Sequence, residues 1–436
     1  MPAPKRKKTT SVNPASRVAA VTRAATAASK PGAPSPRSHP GGALNGHSAK
    51  NSAAATSPPP EPVELKGIRE KIDAIDHKLI ELLNKRAKLV VRVGKVKRAT
   101  GTPVYAPHRE QAVLAKVLGH NKSCGGPLPD RTIEGIYREL MSGSFRLELP
   151  MRVGYLGPPG SYSHLAAVKQ FGTSVDFEDL RAIAGVFTEV ARGHVDCGLV
   201  PIENSIGGGI SETMGAFQEF HGQVNVYAEV QIEVHHALLA NCPPSKVKTI
   251  HSKPEVFTQC RTWLATQYPQ AKLIPEASSS RAVQMAADAG PEVGLAAIGS
   301  KLAAEIYGVS ILFENIEDQI HNITRFYVIS RQKAQPSAKN ADGSSSDKTA
   351  IMFTTTNEPG ALVSVLAVFQ RAGNNLTHID KRPSGRVNWQ YTFFIDAEGH
   401  PDEASPPFLA AAIQQAKGLC RDLHVLGSFP RSKRIL

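Results

Sequence analysis

A run of nine positions in the first third of the chain is spaced alternately by four and three residues. These are positions 68, 72, 75, 79, 82, 86, 89, 93 and 96, and all are Ile, Leu or Val except Arg86. This periodicity predicts one long helix whose apolar seam packs along a partner helix. A domain of about ninety residues cannot cover a helix of about 55 Å by itself, so the pattern also predicts a dimer.

Arg86 is the charged exception in this seam, and a buried guanidinium requires an anionic partner. Lys97 follows eleven residues later, about 20° around the helix, so both cations can lean toward one small ligand. Arg69 lies seventeen residues before Arg86, about 25 Å along the axis, and can share that site only from a second copy of the helix. The alternative is that Arg86 extends out of the seam toward water, and the spacing alone does not decide between the two.

Two further helices are predicted, a short amphipathic one at Glu110–Leu118 and a longer one at Asp130–Leu147. With the first helix they carry, in order, Ile68-Arg69-Glu70-Lys71-Ile72, Asn84-Lys85-Arg86, Val93-Gly94-Lys95-Val96-Lys97, Arg109-Glu110, Ser144 and Glu148. In this order the residues resemble the helical chorismate mutase of the bacterial type, over residues 63–149.

The resemblance implies rearrangement of chorismate to prephenate, an intramolecular reaction that needs neither cofactor nor metal. Such an enzyme holds a dianion in its reactive conformer and stabilises charge on the breaking ether oxygen. By resemblance, carboxylates are bound by Arg86 and the partner subunit's Arg69, the ether oxygen is contacted by Lys97 and Glu148, and the ligand is oriented by Arg109, Glu110 and Ser144. Glu148 can donate a hydrogen bond only when protonated. Ala106 stands where many relatives have an acid.

From Met151 onward, strands and helices alternate. Strands are predicted at residues 152–156, 197–201, 232–239, 249–251, 294–297 and 326–330, with a glycine-rich turn at 157–163 that could hold an anion. The alternation predicts an α/β domain with a mostly parallel sheet and ligand loops at the carboxyl ends of its strands.

Three polar strings stand at those strand ends. They are Pro201-Ile202-Glu203-Asn204-Ser205, then His251-Ser252-Lys253-Pro254 with Gln259 on the helix behind, then Asn322-Ile323-Thr324-Arg325-Phe326. Taken singly, Asn204, Ser205 and Ser252 could be helix caps. Together and in this order the strings resemble prephenate dehydratase over residues 150–331, whose fold is two α/β lobes like a periplasmic binding protein.

That resemblance implies conversion of prephenate to phenylpyruvate with loss of carbon dioxide and hydroxide. Thr324 is then implicated in protonating the departing ring hydroxyl, and its neighbours must polarise it because a Thr hydroxyl is a weak acid. The pocket would be lined by Asn204, Ser205, Ser252 and Gln259. Arg325 is the candidate for a substrate carboxylate, with bracing of the two lobes as the alternative. Lys253 stands where many relatives have His and receives no catalytic role.

Residues 332–347 are rich in Ser, Gly, Lys and Ala, which predicts a flexible linker. The pattern over residues 348–436 predicts the order strand, helix, strand, strand, helix, strand, a ferredoxin-like α+β sandwich. Its strands are expected at residues 350–355, 376–382, 387–396 and 424–428, and its helices at 361–371 and 407–420.

Two strings in this last domain resemble the ACT regulatory domain. Gly360-Ala361-Leu362-Val363 matches that family's phenylalanine-binding turn, and Asp380-Lys381-Arg382-Pro383 stands where the family usually has Glu-Ser-Arg-Pro. The resemblance implies feedback inhibition by phenylalanine bound through Gly360, Ala361, Leu362, Val363, Asp380, Arg382 and Pro383. Lys381 changes the size and charge of that site, so the strength of inhibition stays open.

The net charge of +13 comes mainly from the start of the chain. Residues 1–60 hold nine of the 51 Lys and Arg residues and no acid, which leaves 42 basic against 38 acidic residues in the rest. Residues 1–62, rich in Ala, Pro and Ser, are predicted to be a disordered tail. It is interpreted as a solvated extension that binds polyanions weakly, with an organelle transit peptide or a nuclear signal at residues 4–8 as alternatives.

The five cysteines are scattered without a CxxC pair, which favours a reducing cytoplasm over disulfides or a zinc site. The chain has no run of 18 apolar residues that would cross a membrane. The three resemblances together predict a homodimeric or larger bifunctional enzyme of phenylalanine biosynthesis. An arogenate-preferring dehydratase, a ligand-sensing regulator with degenerate sites, and a nucleic-acid-associated regulator that binds through the tail are the alternatives.

Overall fold

The computed structural model describes residues 63–340, 342–385, 388–403, 408–432 and 434–436. The predicted tail lies outside the described residues, as do Val387 and Pro407, where a strand and a helix were expected to begin. The chain divides into two compact units, residues 1–70 and 71–436. The described part of the first unit forms the opening turns of the first helix.

Three helices come first: α1 (Val63–Thr100), α2 (Pro107–Ser123) and α3 (Asp130–Glu148). The long helix predicted from the alternating spacing is confirmed. The second helix is longer than predicted at both ends, since Pro107 suits a first helical turn. α1 touches the end of α3 at Gly94, where a Cβ would lie only 2.6 Å from the Cα of Glu148. Glycine at this position therefore allows the two helices to meet.

The next region holds the strands β1 (Arg152–Leu156), β2 (Asp176–Leu180), β3 (Cys197–Asn204), β4 (Gly208–Gly209), β5 (Asn225–Glu233), β6 (Ala237–Ala240), β7 (Thr249–Ser252), β8 (Lys272–Pro275), β9 (Leu295–Gly299), β10 (Ile311–Phe313) and β11 (Ile323–Ser330). Its helices are α4 (Tyr162–Phe171), α5 (Ile183–Arg192), α6 (Ser211–Phe220), α7 (Pro254–Gln259), α8 (Arg261–Gln267), α9 (Ser279–Asp288) and α10 (Lys301–Tyr307), with a short 3₁₀ turn at Pro244–Lys246.

These strands form two sheets, one in each of two lobes. The first has the order β2-β1-β3-β11-β5 with β4 on β3, and the second has the order β10-β6-β9-β7-β8. The prediction of a mostly parallel sheet is wrong, because β11 is antiparallel to β3 and β5, and β6 is antiparallel to β9 and β10. Antiparallel pairs arise where the chain leaves the first lobe after β5 and returns to it as β11.

The single strand predicted at 232–239 is also wrong. Its first residues end β5 in the first sheet and its last residues form β6 in the second, so residues 234–236 are the crossing between the lobes. The run is apolar on both sides of His235 and His236, and such a run does not show which sheet each half joins.

The central strand of the first sheet, β11, contributes to two separate hydrophobic cores. Phe326 and Val328 pack with Phe171 of α4, whereas Tyr327 and Ile329 pack with helices α5 and α6. The alternation follows from the two-residue side-chain period of a strand.

The chain ends with β12 (Asp347–Thr354), α11 (Ala361–Arg371), β13 (Leu376–Pro383), β14 (Tyr391–Glu398), α12 (Leu409–Lys417) and β15 (Asp422–Pro430). The third sheet is antiparallel, in the order β13-β14-β12-β15. One face holds its own helices, and the other, with Met352 and Phe394, joins the core around Tyr327. This second sheet face therefore packs directly on the first lobe.

The segment 332–346 is not a free tether, contrary to the predicted flexible linker. Ala334 is buried in the core around α4, the backbone N–H of Ser337 donates to Asp347 at 2.7 Å, and the Ser346 hydroxyl donates to the Ala338 carbonyl at 2.6 Å. Small side chains let this segment lie flat against its neighbours. None of the helices in the described part of the chain has the length and apolarity needed to cross a bilayer.

Candidate active sites

Two basic residues of α1 meet two polar residues of α3. The Arg86 guanidinium donates to the Ser144 hydroxyl at 2.8 Å, and the Lys97 ammonium lies 2.7 Å from the Glu148 carboxylate. The Lys97 ammonium also donates to the Val104 carbonyl at 2.9 Å. Lys97 and Glu148 line a cavity of about 330 Å³. α1 and α3 thus bring four of the predicted residues together in two contacts, Arg86 with Ser144 and Lys97 with Glu148.

Two other predicted residues, Arg109 and Glu110, make no contact with this group among the described contacts. Arg109 has an exposed side chain near the start of α2, and Arg69 has an exposed side chain near the start of α1. Glu110, predicted to orient the ligand, instead forms a buried ion pair with Arg138 at 3.0 Å. Arg138 also donates to the Gln170 carbonyl of α4 at 2.7 Å. Glu110 therefore joins α2 to α3. The pairing was not predicted because Arg138 is 28 residues away in the sequence.

Thr324 and Asn204 face each other at the ends of β11 and β3. The Asn204 side-chain carbonyl accepts from the backbone N–H groups of Ile206 and Gly207 at 3.0 and 2.8 Å. Its amide nitrogen must therefore point to Thr324, and it donates to the Thr324 hydroxyl oxygen at 2.9 Å. Because that oxygen accepts the bond from Asn204, the hydroxyl hydrogen of Thr324 is not used by this amide and is free for donation to another acceptor.

The same amide group begins a hydrogen-bonded chain that joins both lobes. Asn204 donates to Asn322 at 2.7 Å, and Asn322 donates to Gln259 of the second lobe at 3.2 Å. Gln259 also accepts from Nε2 of His236 at 2.7 Å, and Nδ1 of His236 lies 2.6 Å from the Tyr162 hydroxyl. Burial lowers the pKa of His236, which favours the neutral ring that this pattern of donors and acceptors needs.

Ser205 lies beside this group, as predicted, but its hydroxyl is used within the protein. It donates to the His321 carbonyl at 3.0 Å and accepts from the Ile323 N–H at 2.9 Å, so it ties β3 to the segment before β11. Ser252 is fully buried, and its hydroxyl donates to the Ile298 carbonyl at 2.8 Å. The prediction that Ser252 lines the pocket is wrong, because the hydroxyl holds β7 to β9.

Arg325 is not placed to bind the ligand of Thr324. Adjacent residues of a strand point to opposite faces of the sheet, and Arg325 lies on the face that packs against the last domain. Its guanidinium pairs with Asp396 at 2.5 Å, Glu203 at 3.1 Å and Glu229 at 3.5 Å. The alternative prediction was that Arg325 braces the two lobes against each other. Arg325 does have a bracing role, but it joins the first lobe to the last domain.

The two strings predicted to bind an effector lie at one edge of the third sheet. β12 and β13 run in the same direction, each antiparallel to β14, so Gly360 after β12 and Pro383 at the end of β13 share that edge. Gly360 takes a left-handed conformation, with φ 83°, just before α11. Ala361, Leu362 and Val363 open that helix, and Val363 is 67% exposed.

Comparison with known proteins matches both halves of this arrangement. A family model for chorismate mutase type II matches residues 68–149, and a model for prephenate dehydratase matches residues 153–334. The bifunctional chorismate mutase/prephenate dehydratase of Aquifex aeolicus is 37% identical over 371 residues, which is 85% of this chain and 98% of that protein. The chain belongs to this family.

Solved structures agree for the dehydratase half. A prephenate dehydratase from Arthrobacter aurescens, in complex with L-Phe, is 28% identical and covers 66% of this chain and 92% of its own, with a TM-score of 0.56. A protein described as a novel type of quorum-quenching acylase is 27% identical and covers 65% of this chain and 98% of its own, with a TM-score of 0.57.

Sequence reasoning missed three members of the dehydratase network. Tyr162 and His236 were not selected, and Asn322 was quoted only as part of a string. The available signal was the His235-His236 pair that interrupts an apolar run, since a polar pair inside a predicted buried strand marks a break.

The glycine turn of the dehydratase half, predicted as an anion site, instead joins the lobes. The Gly160 carbonyl accepts from Ser300 of the second lobe at 2.7 Å, and the Gly160 N–H donates to Nδ1 of His164 at 3.1 Å. The His164 ring stacks on Tyr155 with centroids 4.6 Å apart. Burial lowers the pKa of His164 to about 4.

Stability should therefore fall between pH 6.5 and 4. The folded pKa of His164 lies below its unfolded value, so this stability is present above pH 6.5 and is lost as pH falls through the folded pKa, by about 3 kcal/mol at most. Denaturant unfolding across this pH range measures the loss. His164→Asn keeps an acceptor for Gly160 without titrating and should flatten the profile; an unchanged slope in that variant would contradict the assignment.

Proposed function

We propose that the two reactions of the family occur at the two polar groups described above. Chorismate would rearrange in the groove of Arg86, Lys97, Ser144 and Glu148, and prephenate would react beside Thr324. The observation that carries the proposal is the fixed Asn204–Thr324 pair, in which Asn204 donates to Thr324 and so leaves the Thr324 hydroxyl hydrogen for another acceptor.

Conversion of prephenate to phenylpyruvate, carbon dioxide and water consumes one proton, which reaches the departing ring hydroxyl. Aromatisation supplies most of the driving force, so the enzyme mainly needs a positioned donor. Thr324 would be that donor or would position it. His236 would orient Gln259, and the bond from Asn322 to the same oxygen keeps that amide from turning.

In the mutase groove the protein supplies charge and not a nucleophile. Arg86 would bind a carboxylate, while Lys97 and Glu148 would contact the ether oxygen. The Glu148 carboxylate lies 2.7 Å from the Lys97 ammonium and pairs with its charge. Donation by Glu148 requires protonation, so the ion pair and the donating state are alternatives.

Thr324→Ala should abolish phenylpyruvate formation while chorismate consumption continues, so that prephenate accumulates. The reason is that Thr324 belongs to the dehydratase group, whereas the mutase cations lie on α1. Purified protein given chorismate, with products identified by mass spectrometry, measures both steps, and arogenate offered instead tests substrate preference. Thr266→Ala, on an exposed face of α8, is the control. Equal loss of both activities in folded Thr324→Ala protein would mean that the sites are not separate.

We also propose a dimer formed through α1. Eight apolar seam residues of this helix are 45–62% exposed: Ile68, Ile72, Ile75, Leu79, Leu82, Leu89, Val93 and Val96. A contiguous apolar surface of this extent requires cover from water. A second copy of α1 presents the same spacing and brings its own Arg69, the remaining cation of the family's site.

Mixing Arg69→Ala and Arg86→Ala proteins should restore part of the mutase activity that each lacks alone. If each site takes Arg69 from one chain and Arg86 from the other, a mixed dimer contains one intact site. Mutase rates are measured after subunit exchange has been verified with labelled chains, and each variant mixed with itself is the control. Absence of recovery in proven mixed dimers would exclude the shared site.

We propose that the last domain is an ACT domain that binds phenylalanine and inhibits the dehydratase. Support comes from the two strings at one sheet edge and from the Arthrobacter aurescens relative, whose structure is described in complex with L-Phe. Location in the cytoplasm and weak polyanion binding by the tail stay predictions from the sequence.

Gly360→Ala should weaken L-phenylalanine binding, measured by calorimetry on the full chain. A Cβ is strained at φ 83°, and a bound ligand must approach this backbone closely. Gly308→Ala is the matched control, since that glycine also has positive φ, at 69°, but ends a dehydratase helix. Equal binding by wild type and Gly360→Ala would place the ligand elsewhere.

A further inference from the structure

The last domain makes several polar contacts with the first lobe, among them Lys348 with Glu229 and Arg382 with the Ser211 carbonyl. One of them, made by a buried acid, reaches Arg325 of β11. Asp396 lies on β14, in the sheet face that packs on the first lobe, and is 1% exposed. One of its oxygens lies 2.5 Å from the Arg325 guanidinium and the other accepts from the Tyr327 hydroxyl at 2.6 Å. Burial raises the pKa of Tyr327, so the phenol keeps its proton and continues to donate.

Arg325 connects this acid to the reacting group. It follows Thr324 directly in β11, and in the strand register Arg325 lies opposite Glu203 while Thr324 lies opposite Asn204. The guanidinium also pairs with Glu203 at 3.1 Å. Between Arg325 and Phe326 the register with β3 shifts, as at a β-bulge. A shift of the Arg325 guanidinium would therefore act on Arg325 and Glu203, which are the neighbours of Thr324 and Asn204 in their strands.

Asp396 also lies one strand away from a string of the proposed effector site. In the third sheet it lies opposite His378 of β13, two residues before Asp380. Asp380 itself packs on Gly209 of β4, where a Cβ would overlap its carboxylate, and Gly209 pairs with Glu203. The strand carrying the effector string thus reaches the dehydratase site through β14 and through β4.

We propose that the Asp396–Arg325 ion pair couples the effector site of the last domain to the dehydratase site. The proposal rests on the proposed inhibition by phenylalanine. A ligand at the end of β13 would shift β14 relative to the first lobe, and the buried pair would pass that shift to β11. Packed interfaces respond by changing between discrete arrangements. The buried Asp396 carboxylate is held by the Arg325 guanidinium and the Tyr327 hydroxyl, and His378 lies opposite it in the sheet.

The test is Asp396→Asn, which keeps the shape and removes the charge. L-phenylalanine should still bind with an affinity within about threefold of wild type, while the dehydratase rate at saturating phenylalanine should be at least about fivefold higher than that of wild type. Asp347→Asn is the matched control, because Asp347 is also a 1% exposed acid of this domain but bonds to the Ser337 N–H at 2.7 Å. It should keep the wild-type inhibition.

The dehydratase rate without phenylalanine, together with circular dichroism, reports whether each variant is folded. Should Asp396→Asn fail to fold, Tyr327→Phe removes one bond to Asp396 and should weaken inhibition in the same direction. Full inhibition of folded variants by phenylalanine, or loss of phenylalanine binding itself, would overturn the coupling. If the wild type is not inhibited at all, the proposed regulation fails, and this result is distinct from a failure of the ion pair to couple.

Discussion

The buried ion pair between Arg325 and Asp396 lies where the first sheet of the dehydratase half meets the sheet of the last domain. Removing two charges from water costs several kcal/mol for each ion, and the pair offsets this only when both partners are held at close range. Two sheets could otherwise slide over an apolar interface such as that of Tyr327, Met352 and Phe394. Together with the buried Lys348–Glu229 pair, the charge pair favours one relative position of the sheets, which the surrounding apolar contacts also stabilise.

Strand β11 shows how one segment serves two purposes. Alternate side chains of the strand enter different cores, so Phe326 packs toward α4 while Tyr327 packs toward the last domain. At the start of β11 the same alternation places neighbouring residues on opposite faces of the sheet. Thr324 contacts Asn204 on one face and Arg325 contacts Asp396 on the other. The proposed proton donor and an interdomain contact thus lie one residue apart on opposite faces of the strand.

In the mutase half a charged residue also stands among apolar ones, and there we propose that a second chain completes the surroundings. Arg86 stands in an apolar seam that one chain leaves exposed, and its bond to Ser144 holds it across the groove toward α3. A second copy of α1 would cover the apolar residues and supply Arg69. Gly94 contributes the close approach of α1 and α3 that brings Lys97 to Glu148.

Much of this organisation was readable from local pattern. A period of three and four residues identified α1, because a helix repeats its face every 3.6 residues whatever surrounds it. The order of the polar strings indicated the family, and Asn204, Thr324 and Gln259 do lie in one network. These features depend on residue types and on spacings within single segments.

The tertiary structure decided which face each residue presents and which partner it finds. Arg325 is separated from Asp396 by 71 residues and Glu110 from Arg138 by 28, and no local pattern links such pairs. For the same reason the apolar run at 232–239 did not reveal that its halves join different sheets, nor that His236 between them would meet Gln259. The sequence by itself determined the elements and the chemical groups they carry. Long-range packing alone determined how those groups meet, because the free energy of burying a charge depends on neighbours brought from elsewhere in the chain.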